Sequence, residues 1–265
     1  MMLDVAAYLA RIGHDEAAQP DWATLRALQL AHLYTVPFEN LDIHLGRPIL
    51  LERHHLFQKI VQQRHGGFCY ELNGLFAMLL REIGFTVTLL GAQFPRDDDF
   101  PAPELDHLTL LVQCRDRADP VLADVAAGRG SFPTPLRIET DEVQPQPAVN
   151  AAFRVLPEGD DYQVWRQADG CEWEREYRFD LQPRSFAEFQ TGCEFHQTSP
   201  HSSFTQNRLC TILTPTGRVT LSDNTLITTV HGVRTEDELD DAGRERVLRD
   251  HFGITLDHAF ATSPG

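Results

Sequence analysis

The segment Arg64-His65-Gly66-Gly67-Phe68-Cys69-Tyr70-Glu71-Leu72-Asn73 holds the residues best suited to chemistry. Its two glycines let the backbone turn tightly and approach other groups closely. Cys69 follows them at the first residues of a helix, where unpaired N–H groups and the helix dipole favour a thiolate. The same N–H groups can serve an acyl intermediate as an oxyanion hole. Alone, such a cysteine also reads as a small apolar residue opening a buried helix. A nucleophilic thiol needs a base and a group that orients the base. His107 opens the stretch Asp106-His107-Leu108-Thr109-Leu110-Leu111-Val112, and Asp124 closes Val121-Leu122-Ala123-Asp124-Val125. If these strands are neighbours, His107 and Asp124 meet side by side. Taken singly, the histidine reads as a surface residue and the aspartate as a turn or cap residue.

Other candidates have plainer readings. His54 and His55 are adjacent on a helix, so their side chains point apart and a shared ion is not expected. His196 and His201 flank a Ser/Thr-rich turn with no cysteine at ligand spacing, so no metal site is expected. The acidic runs Asp97-Asp98-Asp99 and Asp240-Asp241 read as solvated faces.

The elements that must position these groups change character along the chain. Residues 1–84 read as four helices. Val5, Tyr8, Leu9 and Ile12 mark the first. Asp21 caps a second that Pro37 stops, and Leu56, Ile60 and Val61 mark a third that ends near His65. The fourth begins near Cys69 and ends at Gly84. From Phe85 the texture is of short strands, at 85–90, 107–114, 121–125, 162–167, 172–179, 208–213, 218–221 and 225–230, with a hairpin turn at Thr214-Pro215-Thr216-Gly217. A helical piece is expected between Phe179 and Phe195, and a charged amphipathic helix over 236–251. The Pro-rich stretches 94–103 and 140–147 read as loops. Helices followed by strands and then mixed elements indicate an α+β fold rather than a doubly wound sheet. No dinucleotide fingerprint or phosphate-binding P-loop motif occurs.

Composition bounds the function. The 265-residue chain is 42% apolar and 23% charged, ordinary values for a globular protein. Its formal net charge of −16 disfavours nucleic acid and anionic membranes as partners, though a local donor pocket can still hold an anionic cofactor. No apolar run reaches membrane-span length, and the N-terminus lacks the pattern of a signal peptide. The five cysteines are scattered without a CxxC pair, which favours free thiols in a reducing compartment, the cytoplasm by default.

Several segments together resemble the arylamine N-acetyltransferase family. Val36-Pro37-Phe38-Glu39-Asn40-Leu41-Asp42 is similar to its PFENLD segment. Arg64 through Asn73 is similar to its RGGxCxExN segment, with His65 standing inside the usual Arg-Gly-Gly run. His107–Val112 and Leu122–Val125 resemble its histidine and aspartate strands. Gln197-Thr198-Ser199-Pro200, Ser203-Phe204 and Gly217-Arg218-Val219-Thr220-Leu221 resemble its C-terminal region. These segments occur in order along nearly the whole chain.

The resemblance implies a Cys–His–Asp triad of Cys69, His107 and Asp124, in a cysteine-protease-like arrangement. It implies a helical bundle over 1–84, a central β-barrel over 85–185 and a C-terminal α/β lid over 186–265. It also implies acetyl-CoA as donor, ping-pong transfer through an acetyl-cysteine thioester to an arylamine, arylhydrazine or arylhydroxylamine, no metal, and a part in xenobiotic metabolism. A homodimer is compatible with it. Gly128, Phe195, His201 and Ser202 are the expected CoA contacts, with Phe195 stacking on adenine and the others near phosphate. Where the family commonly has Val-Gly-Phe-Gly after the aspartate, this chain has Val125-Ala126-Ala127-Gly128, so a roomier acceptor pocket is expected. Glu39, Arg64, Glu71 and Asn73 are expected to be structural, with Arg64 pairing Glu39. The Cys69 thiolate is expected to persist well below the ordinary thiol pKa of about 8.5. The competing readings are an amide synthase releasing a polyketide macrolactam, a Cys–His–Asp hydrolase, and a binding protein on the same scaffold.

Overall fold

The computed structural model describes residues 3–95, 103–138, 140–168 and 170–256. The acidic run 97–99 and most of the 94–103 stretch lie outside these residues. Among the described residues no helix is long and apolar enough to cross a membrane.

The N-terminal helices follow their sequence signals closely. Asp4 accepts from the Ala7 N–H to cap α1 (Val5–Arg11), and Asp21 accepts from the Thr24 N–H to cap α2 (Trp22–Thr35). A short strand β1 (Phe38–Glu39) leads into α3 (Leu41–His44). The third expected helix is broken into α4 (Arg53–Phe57) and a π-helical turn, Gln58–Gln62. Helix α5 (Cys69–Ile83) carries Leu72, Leu75, Phe76, Leu79 and Leu80 into the core and stops at Gly84, which has φ 110°.

Eight antiparallel strands form the central sheet: β2 (Thr86–Gln93), β3 (His107–Gln113), β4 (Val121–Ala123), β5 (Leu136–Arg137), β6 (Gln144–Gln146), β7 (Ala151–Glu158), β8 (Asp161–Ala168) and β9 (Glu174–Phe179). Their order is β5-β4-β3-β2-β9-β8-β7-β6, which brings the two end strands round toward each other. Side-chain amides join those ends. Gln144 accepts from the Arg137 N–H at 2.8 Å and donates to its carbonyl at 3.0 Å. Gln146 does the same with Thr134, at 2.8 Å each way. Two amides therefore stand in for a missing ladder, and the sheet is nearly closed around Leu90, Leu122, Phe132, Phe153, Val164, Tyr177 and Phe179.

After β9, a 3₁₀ turn (Phe186–Phe189) runs into α6 (Gln190–Thr198), and α7 (Ser203–Gln206) follows. Strands β10 (Leu209–Thr214), β11 (Gly217–Ser222), β12 (Thr225–Val230) and β13 (Val233–Glu238) form a second antiparallel sheet. β1 completes it against β10, and α8 (Asp241–Phe252) packs Val247, Leu248 and Phe252 on its inner face.

Two expectations are corrected. The stretch 140–147 contains a strand, because its two glutamines face Thr134 and Arg137 while Pro145 takes an exposed position. The C-terminal helix starts at Asp241 rather than 236, because residues 233–238 extend the sheet as an edge strand. Every residue of that strand is exposed, so it carries no apolar alternation to announce it.

Candidate active site

The double glycine has a steric cause. A Cβ on Gly66 would lie 2.0 Å from the Pro37 carbonyl oxygen, and one on Gly67 would lie 2.7 Å from Glu71 Oε2. Only glycine lets this strand run beside Phe38, where the Glu39 N–H donates to the Gly67 carbonyl at 2.9 Å. The segments around Pro37 and Cys69 thereby become one structure.

Carboxylates then set the start of α5. Glu71 Oε2 accepts from the Phe68 N–H at 3.1 Å. Its other oxygen lies 2.9 Å from Lys59 Nζ, which also sits 2.7 Å from Asp42 and 3.4 Å from Glu39. Glu39 in turn accepts from the Leu41 N–H at 2.7 Å. The cation on Glu39 is therefore Lys59. Arg64, expected in that role, is exposed and has φ 60°. Arg11, buried in α1, donates to the carbonyls of Thr35, Ile60, Arg64 and His65, and so anchors the chain entering the glycine turn. Lys59 and Arg11 carried no motif signal; Lys59 could have been suspected as a lone lysine between apolar Leu56, Ile60 and Val61.

His107 and Asp124 do meet. Adjacent strands β3 and β4 pair Leu110 with Ala123, and the imidazole Nε2 lies 2.7 Å from Asp124 Oδ2 with both side chains buried. Asp124 Oδ1 accepts from the Ala126 N–H and from Asn73 Nδ2, both at 2.8 Å. The Tyr177 hydroxyl donates to Oδ2 at 3.3 Å. Asn73 also donates to the Leu108 carbonyl at 2.6 Å and accepts from the Val125 N–H at 2.9 Å, tying α5 to both strands. Burial alone would raise the Asp124 carboxyl. The His107 charge and the hydrogen bonds from His107, Asn73 and Ala126 outweigh burial and hold it below the usual carboxylate range. The imidazole itself is flanked by the rings of Phe94 and Tyr177, with centroids 5.1 and 5.5 Å away.

Cys69 and His107 open onto one cavity of about 480 Å³, which Phe38, Phe94, Phe204, Ala126 and Ala127 also line. With Nε2 committed to Asp124, Nδ1 is the ring nitrogen left for the thiol. Burial opposes the thiolate expected at Cys69 from the sequence. Burial pushes the Cys69 thiol well above its ordinary value, and the charges of Asp106, Asp124 and Cys193 add to this, against an opposing hydrogen bond from the Leu108 backbone.

Of the four expected CoA contacts, Gly128 and His201 line the cavity, and Phe195 and Ser202 are not among its lining residues. Phe195 packs edge-on against His196 at 5.3 Å. Ser202 is fully buried, caps α7 by accepting from the Phe204 N–H at 3.2 Å, and lies 3.0 Å from His196 Nδ1. His54 and His55 hold their rings 5.7 Å apart, and among the described residues no group of three or more His, Cys, Asp or Glu could hold a metal.

The chain's relatives match it over nearly its whole length. A family model described as N-acetyltransferase matches residues 21–261. The arylamine N-acetyltransferase of Mycolicibacterium smegmatis is 34% identical over 260 residues, covering 97% of this chain and 94% of that protein. The arylamine N-acetyltransferase of Escherichia coli (strain K12) is 35% identical over 255 residues, covering 95% and 89%. The solved structure of Mycobacterium marinum arylamine N-acetyltransferase in complex with CoA superposes with a TM-score of 0.87 at 32% identity, over 95% of this chain and 93% of that one. Matches that take in the glycine turn, the barrel strands and the C-terminal sheet alike leave one assignment: this chain belongs to the arylamine N-acetyltransferase family.

Proposed function

We propose that this chain transfers an acetyl group from acetyl-CoA to an arylamine, arylhydrazine or arylhydroxylamine through an acetyl thioester on Cys69, with His107 as base and Asp124 as its orienting carboxylate. The observation that carries this reading is the buried 2.7 Å His107–Asp124 contact beside the cavity that holds Cys69. His107 Nδ1 takes the Sγ proton as sulfur attacks the thioester carbonyl. The Cys69 N–H at the first turn of α5 faces the developing oxyanion. His107 returns the proton to the departing CoA sulfur. A neutral arylamine nitrogen then attacks the acetyl-cysteine and gives its proton to His107, and the amide leaves as Cys69 recovers its thiol.

Gly128 and His201, which line the cavity, are the proposed CoA contacts. Phe195 and Ser202 are kept only as supports of that wall. Ala126 and Ala127 widen the acceptor side, which suits a ring with bulky substituents. The proposed division is 1–84, 85–185 and 186–265. The barrel interior and the layer beneath α8 have apolar clusters of their own, while the cluster around α5 also takes in Leu108 and Val121 of the barrel strands and Phe189 and Cys193 of the last unit, and β1 crosses into the last unit, so the three units share core. The segment carrying α6 and α7 acts as the lid over Cys69. All five cysteines are free thiols, which suits a reducing, cytoplasmic setting.

Initial rates at varied acetyl-CoA and arylamine test the reading. Parallel double-reciprocal lines are expected from two half-reactions that share one enzyme form. Intersecting lines would place both substrates on the enzyme at once and overturn it.

A further inference from the structure

One side chain of α2 reaches the loop that walls the cavity. Gln29 is wholly buried, among Leu25, Leu28, His32 and Leu33 of the same helix. An amide so placed is costly unless its oxygen and its nitrogen both find partners. Its Oε1 accepts from the Asp124 N–H at 3.3 Å, and its Nε2 donates to the Phe132 carbonyl at 2.6 Å. An N–H can only donate and a carbonyl can only accept, so these two partners fix which way the amide faces.

Asp124 and Phe132 are the two ends of one loop. Strand β4 stops at Ala123, which pairs with Leu110. Beyond it the Asp124 N–H turns to Gln29 and the Val125 N–H to Asn73 Oδ1, so side chains of two helices take over from the ladder. The loop then gives Ala126, Ala127 and Gly128 to the cavity that holds Cys69 and His107. Its middle closes on itself. The Gly130 N–H donates to the Ala127 carbonyl at 3.0 Å, and the Ser131 hydroxyl donates to the Gly128 carbonyl at 2.7 Å. At the far end Phe132 is buried in the barrel, with its ring 5.6 Å from that of Phe153. Gln29 bonds to both ends of this loop.

We propose that Gln29 is a positioning residue that clasps the loop 124–132 at both ends, seating the Asp124 carboxylate against His107 and holding Ala126, Ala127 and Gly128 as the acceptor-side wall. The inference rests on the reading of Asp124 as the orienting carboxylate. Asn73 and Gln29 divide the work. Asn73 bonds to the carboxylate itself and to the Leu108 carbonyl of β3. Both bonds of Gln29 go to main chain, so it fixes the backbone from which the carboxylate projects. The loop's own Ala126 N–H donates to Asp124 Oδ1, which ties the carboxylate to the wall that follows it. The Asp124–His107 contact is 2.7 Å, and a misplacement of about 1 Å in such a contact can cost on the order of 100-fold in rate.

The test is the single-turnover rate at which acetyl-CoA acetylates Cys69 in the full-length protein, read by intact mass and taken per folded molecule. Gln29→Met keeps the length of the side chain but can make neither bond. It is expected to slow acetylation about tenfold, and to bring kcat/KM for a bulky and a small arylamine several-fold closer together. Gln29→Glu restores both bonds only while its carboxyl is protonated, one oxygen accepting from Asp124 and the other donating to Phe132. Burial favours that neutral form and moves its loss above the ordinary carboxyl range. The Gln29→Glu rate relative to wild type is therefore expected near unity at pH 6 and about tenfold lower at pH 9. A side chain that only filled space would give no such pH contrast. A wild-type rate in Gln29→Met, or a Gln29→Glu ratio that does not fall with pH, overturns the proposal. If Gln29→Met does not fold, the pH contrast in Gln29→Glu decides alone. Wild type that takes up no acetyl on Cys69 would end the reading of the triad, whereas wild type and Gln29→Met that take it up equally fast would end this inference alone.

Discussion

Lys59 is the residue whose removal should cost most for the least change in shape. Its ammonium lies 2.7, 2.9 and 3.4 Å from three carboxylates on three elements: Asp42 of α3, Glu71 of α5 and Glu39 of β1. Glu39 and Glu71 are almost wholly buried. Lys59→Met keeps the length of the stem but leaves these charges without a partner. Breaking a buried ion cluster by deleting one member costs about 3–5 kcal/mol, which for a domain of this size lowers Tm by roughly 10 °C. The pH dependence carries a sign. Burial raises the Glu71 carboxyl to about 7, against the opposing pull of Lys59. A carboxyl whose folded pKa lies above its unfolded value contributes stability at pH below about 4.5 that is lost as pH rises through about 7. Without Lys59 the folded value climbs further, so the loss with rising pH steepens. Urea unfolding of wild type and Lys59→Met at pH 5 and pH 8 is the assay. The deficit should be larger at pH 8 by about 1–2 kcal/mol, one pKa unit being ~1.4 kcal/mol. A deficit under about 1 kcal/mol at pH 8, or one that shrinks between pH 5 and pH 8, would refute the reasoning.

Three further outcomes are expected. Asp124→Asn should lower kcat on the order of 10⁴-fold, the scale seen when a triad carboxylate is lost. Because Asp124 is held below the usual carboxylate range, its stabilising contribution is full above about pH 4 and lost as pH falls, so acid unfolding of wild type and variant should converge there. Asn73→Ala removes the donor shared by Leu108 and Asp124 and should cut kcat about 100-fold by misplacing the carboxylate, with the KM for acetyl-CoA moving less. Gly66→Ala drives a methyl to 2.0 Å from the Pro37 carbonyl and should cost upwards of about 2 kcal/mol by thermal unfolding, more than alanine at the open Gly13.

The parts of the fold written in local signals were legible. Asp21 and Gly84 marked helix ends because a cap needs a particular side chain and a left-handed terminus needs glycine. His107 and Asp124 could be proposed as partners because consecutive short strands usually pair. What stayed hidden depends on distant residues. Strand β6 is defined by amides reaching Thr134 and Arg137, and β13 by an edge that needs no apolar face. Arg64 looked like the cation for Glu39 by its place in the motif, yet a π-helical turn delivers Lys59 instead. The influences that oppose a thiolate at Cys69 were hidden for a similar reason. A helix start is visible in sequence, whereas the burial and the Asp106 carboxylate that oppose it are properties of the assembled cavity. The likeness in segment order gave the family but could not place Ser202, whose hydroxyl faces His196 rather than the cavity.

The central claim is that Cys69 carries the acetyl group between the two substrates. Intact-protein mass spectrometry tests it most directly: wild type and Cys69→Ala are mixed with acetyl-CoA, and an arylamine is then added. One acetyl adduct is expected on wild type, none on Cys69→Ala, with the adduct lost when the amine arrives. An adduct that persists in Cys69→Ala, or one on wild type that the amine does not discharge, would contradict the account.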